Sequence, residues 1–322
     1  MHFLSPYDPL CSRHAGPAQE AMERLFVRKE TLRPIDKVTV HEKDGVVWLS
    51  FPILDRYGWL LNAFSTRLGG VSEGSSGAMN LSFSRENAMH PEKSEQENRA
   101  AVTENHKRFS SAVGYDMKDL VFSDQTHTDT IRIVTSKDRG NGIMRPNEFH
   151  DVDGLMTSDP RVGLITFYAD CVPLMIADPV HRAIACVHSG WKGTAAGIGT
   201  KAVRLMSEHF GSDPSDLTAA IGPSVCRDCY EVSAEVIAKI KQRFDERLWP
   251  ELFSGEYTGR DGQLHYKLDL QRACMENFLT AGMTRENISL PDLCTACNAE
   301  RLFSHRKSRG RRGNLAAVLM IR

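Results

Sequence analysis

The chain alternates short apolar runs with polar turns at a spacing that suits strands more often than long helices. Residues 37–52 (KVTVHEKDGVVWLSFP) read as two strands turning at Lys43-Asp44-Gly45, and 59–64 (WLLNAF) as a third. The Gly/Ser-rich stretch STRLGGVSEGSSG follows, too short for a domain linker. Pro91 is expected to open a helix running to about Val113, with Glu92, Glu95 and Glu97 in its first turns and Gly114 past its end. From Leu120 to Met320 the runs VF, TIRIV, LITFY, LMIAD, AIACV, TAAIG and LAAVLMI alternate irregularly with helices near 194–210, 233–244 and 269–281. Ser233 is a plausible cap for the second of these, and Gly211 follows the first. Irregular alternation predicts an α+β (mixed α/β) fold, a single domain with a mixed β-sheet core covered by helices.

Composition narrows the function classes. The 322 residues are 41% hydrophobic and 25% charged, an ordinary globular mixture. Forty basic against forty-one acidic side chains leave a net charge of -1, which argues against a chain built to coat nucleic acid or a membrane. The start MHFLSPYDPL lacks a basic-then-apolar leader, so the expectation is cytoplasmic, with the eight Cys reduced.

Three segments carry chemistry-capable residues at strand ends: Ser123-Asp124-Gln125-Thr126-His127, Ala169-Asp170-Cys171-Val172-Pro173 and Val187-His188-Ser189-Gly190-Trp191-Lys192-Gly193. Two imidazoles and a thiolate suit Zn²⁺ with a fourth position open. The same trio suits a Cys nucleophile with a His base. The plain alternative is a small core cysteine and two hydrogen-bonded loop histidines. Arg67, beside Gly69-Gly70, is a candidate grip for an oxyanion, since a guanidinium bonds in two places. Trp191 is expected to shape the pocket and Lys192 to meet an anion.

LNAFSTRLGGVS, MNLSF, DQTH, DVDGLMT, FYADCVPLMIAD, VHSGWKGT, IGPS…CYEV and LFSHR…GRRGNLAAV resemble, in order, the motifs of one family. It is the YfiH-like or laccase-domain family, also named multicopper polyphenol oxidase and LACC-type purine nucleoside phosphorylase. The match spans roughly 45–322, taken as a YfiH-like catalytic domain of CNF/YfiH-like fold, and leaves 1–44 as an N-terminal extension. The resemblance places the family's metal site on His127, Cys171 and His188, a donor set that suits Zn²⁺ and also Cu²⁺. Arg67, Asp170, Trp191 and Lys192 are the residues expected to bind substrate or phosphate. It implies phosphorolysis of adenosine, inosine and S-methyl-5'-thioadenosine, together with adenosine deamination. Nucleoside and phosphate are then the partners, a homodimer stays open, and no nucleic-acid or membrane surface is expected.

Two other enzymes compete. A Cys-His amide hydrolase of peptidoglycan-editing type would use Cys171 as nucleophile, and a mononuclear copper polyphenol oxidase would use the same trio. A multicopper cluster needs on the order of ten His, many in His-x-His pairs. This chain has twelve His and no such pair. A nucleoside-binding regulator with structural zinc is the non-enzymatic alternative.

Three other features carry less. Cys226/Cys229 and Cys294/Cys297 are C-x₂-C pairs, but they lie much farther apart than the ~15–20 residues of a compact zinc ribbon. Ordinary reduced cysteines are the preferred expectation there. Gly197-Ile-Gly199 imitates a dinucleotide fingerprint but falls inside a predicted helix. The basic run Arg301, Arg306, Lys307, Arg309, Arg311 and Arg312 reads as a solvated face, part of which the resemblance brings toward the active site.

Overall fold

Strand parity decides which core each side chain enters. In β15 (Leu315–Ile321) all seven residues are buried. Leu315, Ala317, Leu319 and Ile321 enter one core and Ala316, Val318 and Met320 another, as a period of two demands when both faces are covered. The structure, a computed structural model, describes residues 26, 36–259 and 262–322, and most of the expected 1–44 extension lies outside them.

The first sheet contains β1 (Thr39–Lys43), β2 (Val46–Ser50), β3 (Leu60–Ser65), β4 (Leu120–Phe122), β7 (Gly163–Tyr168) and β15, in the order β1-β2-β3-β15-β7-β4. The second contains β5 (Ile131–Ile133), β6 (Gly154–Thr157), β8 (Val172–Asp178), β9 (Ala183–Ser189), β10 (Thr218–Ile221) and β14 (Ile288–Ser289), in the order β14-β10-β8-β9-β6-β5. Both mix parallel with antiparallel pairs. Leu49, Phe64, Leu164 and Leu319 of the first sheet meet Leu155, Met175, Ile184 and Cys186 of the second in one core. A small sheet, β11 (Glu231–Ser233), β13 (Leu264–Leu268) and β12 (Phe253–Thr258), lies to the side.

Helices cover the outer faces. Behind α1 (Pro52–Asp55) and α2 (Phe83–Met89) comes α3 (Glu95–Val113), whose Phe109 packs on Leu61, Ile165 and Val318 of the first sheet. On the second sheet, α4 (Trp191–Ala196), α5 (Ile198–Phe210), α6 (Ala234–Arg243) and α8 (Leu270–Thr280) pack against Leu174, Ile176 and Val187; α7 (Trp249–Leu252) precedes α8. The result is a helix–sheet–sheet–helix stack, the mixed α/β fold expected, with two sheets where one was foreseen.

Local chemistry explains the differences. The β1–β2 turn has Asp44 and Gly45 at φ +53 and +78, the paired positive angles of a type I′ hairpin, as its sequence predicts. That hairpin carries sheet pairing across the expected 44/45 boundary, so the sheet starts before it. The expected helix from Pro91 begins instead at Glu95, because Ser94 and Glu97 form a reciprocal capping box. The helix expected over 194–210 is broken at Gly197, which adopts φ +79. Ser233 does precede α6, but its side chain makes no capping bond. Among the described residues, no helix is long and apolar enough to cross a membrane.

Candidate metal and anion site

Parity on β9 aims His188. Ala183, Ala185 and Val187 enter the helix-side core while Ile184 and Cys186 face the first sheet. His188 shares the parity of the latter pair and meets the Tyr168 ring with centroids 5.6 Å apart. Cys171 occupies the tight turn between β7 and β8, just after Asp170 at φ +88. His127 follows β4 and itself adopts φ +68.

The trio converges. One ligand atom from each of His127, Cys171 and His188 lies within 4.8 Å of the others. Cys171 Sγ is 3.8 Å from His127 Nε2, and the two imidazoles meet edge to face with centroids 5.0 Å apart. Gly190 makes room for them: a Cβ there would stand 2.8 Å from His127 Cδ2 and 3.2 Å from Cys171 Sγ.

Asp153, just ahead of β6, organises the cluster. Its Oδ1 lies 2.7 Å from His188 Nδ1 and accepts the His127 backbone N–H at 3.1 Å. Its Oδ2 accepts the backbone N–H groups of Thr126 and Thr128 and the Thr128 hydroxyl. The buried carboxylate therefore fixes the His188 tautomer with Nε2 left for the cluster, and holds the His127 loop. Burial opposes its charge, but the His188 and Thr128 contacts outweigh that and keep its pKa below the usual value. Asp153 falls within the motif DVDGLMT, and its sequence signal is an acidic residue immediately before a buried strand.

The electrostatics mark Cys171 and His188 as partners. Burial pushes the Cys171 thiol up, but the two imidazoles reverse the shift and lower it to about 6. Burial likewise disfavours His188 protonation, yet Cys171 and Asp153 raise it to about 9. Two imidazole nitrogens, one thiolate-prone sulphur and a carboxylate behind one imidazole form a donor set that fits zinc or copper.

These residues line a cleft of about 1170 Å³. Phe83, Phe122, Phe167, Trp191 and Tyr230 give it aromatic surface, and Arg85, Arg306, Arg309 and Arg312 a basic wall. Burial and the neighbouring Arg85 lower the Arg312 guanidinium to about 10. Among the described residues, the buried Nε atoms of Arg85 and Arg312 have no hydrogen-bond partner. Arg85 and Tyr230 were not singled out by sequence; Arg306, Arg309 and Arg312 belong to the basic run.

Other expected residues fall differently. Arg67 is not on the cleft wall. Its Nε and Nη2 bond Gly77 O at 3.0 and 2.6 Å, its Nη1 bonds Ala299 O at 2.9 Å, and it stacks over Phe303. The expected oxyanion grip is thereby replaced by a pin between two loops. Asp170 borders the cleft, but its carboxylate is engaged by the Thr295 hydroxyl and the Arg306 backbone N–H, both at 2.6 Å. Trp191 lines the cleft from the start of α4, and Lys192 is exposed with Nζ 5.8 Å from the Trp191 ring centre.

Comparisons with known proteins show what the chain is similar to. The purine nucleoside phosphorylase YlmD of Bacillus subtilis is 31% identical over 264 residues, covering 81% of this chain and 88% of that protein. A purine nucleoside phosphorylase of Bacteroides thetaiotaomicron is 29% identical over 277 residues, covering 85% and 96%. The crystal structure of Bacillus licheniformis hypothetical protein YfiH superposes with a TM-score of 0.76 at 30% identity, covering 88% of this chain and 99% of that one. For YlmD from Geobacillus stearothermophilus the TM-score is 0.74 at 28% identity, over 89% and 99%. The model of the multi-copper polyphenol oxidoreductase laccase family matches residues 61–322, and the chain belongs to that family.

Proposed function

We propose that the chain is a metal-dependent purine nucleoside phosphorylase acting on adenosine, inosine and S-methyl-5'-thioadenosine, and that the same cleft deaminates adenosine. The observation that carries this reading is one cleft holding both the His127–Cys171–His188 cluster and the arginines whose buried Nε atoms lack partners. The relatives named purine nucleoside phosphorylase support it. The cluster supplies only two imidazoles, too few for a multicopper centre.

In phosphorolysis, phosphate attacks the anomeric carbon of the ribose while the purine leaves, through an oxocarbenium-like transition state. The guanidinium groups of Arg85 and Arg312 bind and orient the anion as nucleophile. Aromatic faces of the cleft hold the purine. Asp153 keeps His188 in one tautomer, and His127 and Cys171 complete the ligand set. His127, Cys171 and His188 would hold zinc or copper, which would supply Lewis-acid chemistry for deamination.

Mass spectrometry of products from adenosine, with protein of measured metal content, tests the reading. Adenine and ribose 1-phosphate should form only with phosphate present, and inosine with or without it. If fully metallated protein forms none of these, the proposal fails. Cys171 Sγ at 3.8 Å from His127 Nε2 favours a second reading, the Cys-His amide hydrolase. That enzyme would keep its activity after chelation and lose it on alkylation of Cys171.

A further inference from the structure

The two C-x₂-C pairs are distant in sequence and adjacent in space. Cys226, Cys229, Cys294 and Cys297 bring their four sulphurs within 4.8 Å of one another. Cys229 and Cys297, 68 positions apart, have sulphurs 3.6 Å apart, well beyond an S–S bond of ~2.05 Å. Four thiolates at ~2.3 Å from one zinc would have S···S edges of ~3.8 Å, so the tetrad needs little adjustment to hold the ion.

The backbone is arranged for this. Ser224 N–H donates to Leu293 O and Thr295 N–H to Ser224 O, each at 3.1 Å, clamping the strand-like stretches that lead into the two pairs. Beyond the clamp, the amides of Cys226 and Cys297 both donate to Cys294 Sγ, at 3.3 and 3.4 Å. A neutral thiol is a weak acceptor, whereas two N–H donors converging on one sulphur suit a thiolate. Cys226 and Cys294 are buried among Val225 and Ala296, so a thiolate there needs a cation.

We propose that Cys226, Cys229, Cys294 and Cys297 form a second, structural zinc site, separate from the His127–Cys171–His188 cluster. The expectation of ordinary reduced cysteines rested on separation along the chain, which the fold removes. The site ties together two walls of the cleft. Tyr230, next to Cys229, lines the cleft, and the Arg306 guanidinium sits over its ring. Thr295, between the second pair, bonds Asp170, the neighbour of Cys171. Zinc here braces the turn that presents Cys171 without touching substrate.

The test is metal analysis of Cys171→Ala protein purified under reducing conditions with zinc supplied, because that variant disables the first cluster. It should retain about one zinc per chain, and Cys171→Ala/Cys297→Ser should retain none. Should the double variant not fold, the single variant still decides the matter. Titration of its thiols with a mercurial should release that zinc to a chromogenic chelator. Cobalt substituted in its place should give intense thiolate-to-cobalt charge-transfer absorption. Cys171→Ala protein without zinc would overturn the site, whether its intact mass shows the tetrad joined as disulfides or as four reactive thiols.

Discussion

Asp153 Oδ1 stands 2.7 Å from His188 Nδ1 while the same carboxylate accepts three successive backbone amides, those of Thr126, His127 and Thr128. One buried side chain thus orients an imidazole on β9 and the loop that carries His127. Asp153→Asn preserves shape but replaces an acceptor oxygen with a donor that faces N–H groups. Metal affinity, measured by competition with a chelator, should fall about 10- to 100-fold, with kcat/KM falling alongside. Unchanged affinity would remove Asp153 from the organisation of the site.

Gly190 offers a sharper probe of the same cluster. Its φ of -76° suits any residue, so Gly190→Ala imposes little backbone strain. The added Cβ would nonetheless stand 2.8 Å from His127 Cδ2 and 3.2 Å from Cys171 Sγ. Metal occupancy and activity should drop severely while Tm moves by only a few degrees, roughly the effect of about 1 kcal/mol. A large fall in Tm with occupancy retained would contradict this placement.

The strands were legible because their signals are local: LAAVLMI and AIACV are long apolar runs whose parity and burial follow from covering both faces. His127, Cys171 and His188 match no local metal signature, and only the family resemblance grouped them before the fold brought them within 4.8 Å. What escaped depends on contacts between distant segments. Arg67 reads as an oxyanion grip beside glycines, but whether its N–H groups meet phosphate or the carbonyls of Gly77 and Ala299 is decided by chain returning 232 residues later. The convergence of the two cysteine pairs escaped for the same reason. The Pro91 start was a competition between two local signals, which the Ser94–Glu97 box won.

A buried histidine makes the fold acid-sensitive. The His106 ring is fully enclosed, its Nε2 donates to Leu81 O, and its Nδ1 has no partner among the described residues. It lies beside the rings of Phe83 and Phe122, both on the cleft wall. Burial lowers its pKa from 6.5 to about 4. A depressed pKa means that the unfolded chain takes up the proton first. Its contribution is therefore fully present above pH 6.5 and is lost as pH falls toward about 4, amounting to about 3 kcal/mol at most. His106→Gln keeps a donor for Leu81 without titrating. Urea unfolding of both proteins between pH 7 and about 4 should show wild type losing stability more steeply. Parallel curves would show that His106 titrates alike in the folded and unfolded chains, with no burial effect.

The arginines provide the last test, because phosphorolysis binds an oxyanion nucleophile and deamination does not. Arg85 and Arg312 line the cleft with buried Nε atoms lacking partners, whereas Arg67 is fully engaged with backbone carbonyls. A charged hydrogen bond is worth about 1.5–3 kcal/mol, so Arg85→Ala or Arg312→Ala should raise the phosphate KM roughly 10- to 100-fold. The kcat/KM for conversion of adenosine to inosine should change much less. Arg312 also bonds Gly313 O and Asn314 Oδ1, so its variant needs a melting curve to separate loss of anion binding from loss of the loop. Arg85 gives a cleaner comparison, since among the described residues its guanidinium bonds a single backbone carbonyl, Gly310 O. Arg67→Ala should behave in the opposite way, lowering Tm and reducing both reactions by similar factors as the Gly77 and Ala299 loops separate. Selective loss of phosphorolysis in Arg67→Ala, with Arg85→Ala and Arg312→Ala unaffected, would move the phosphate away from this basic wall toward the Arg67 loop and sink this assignment.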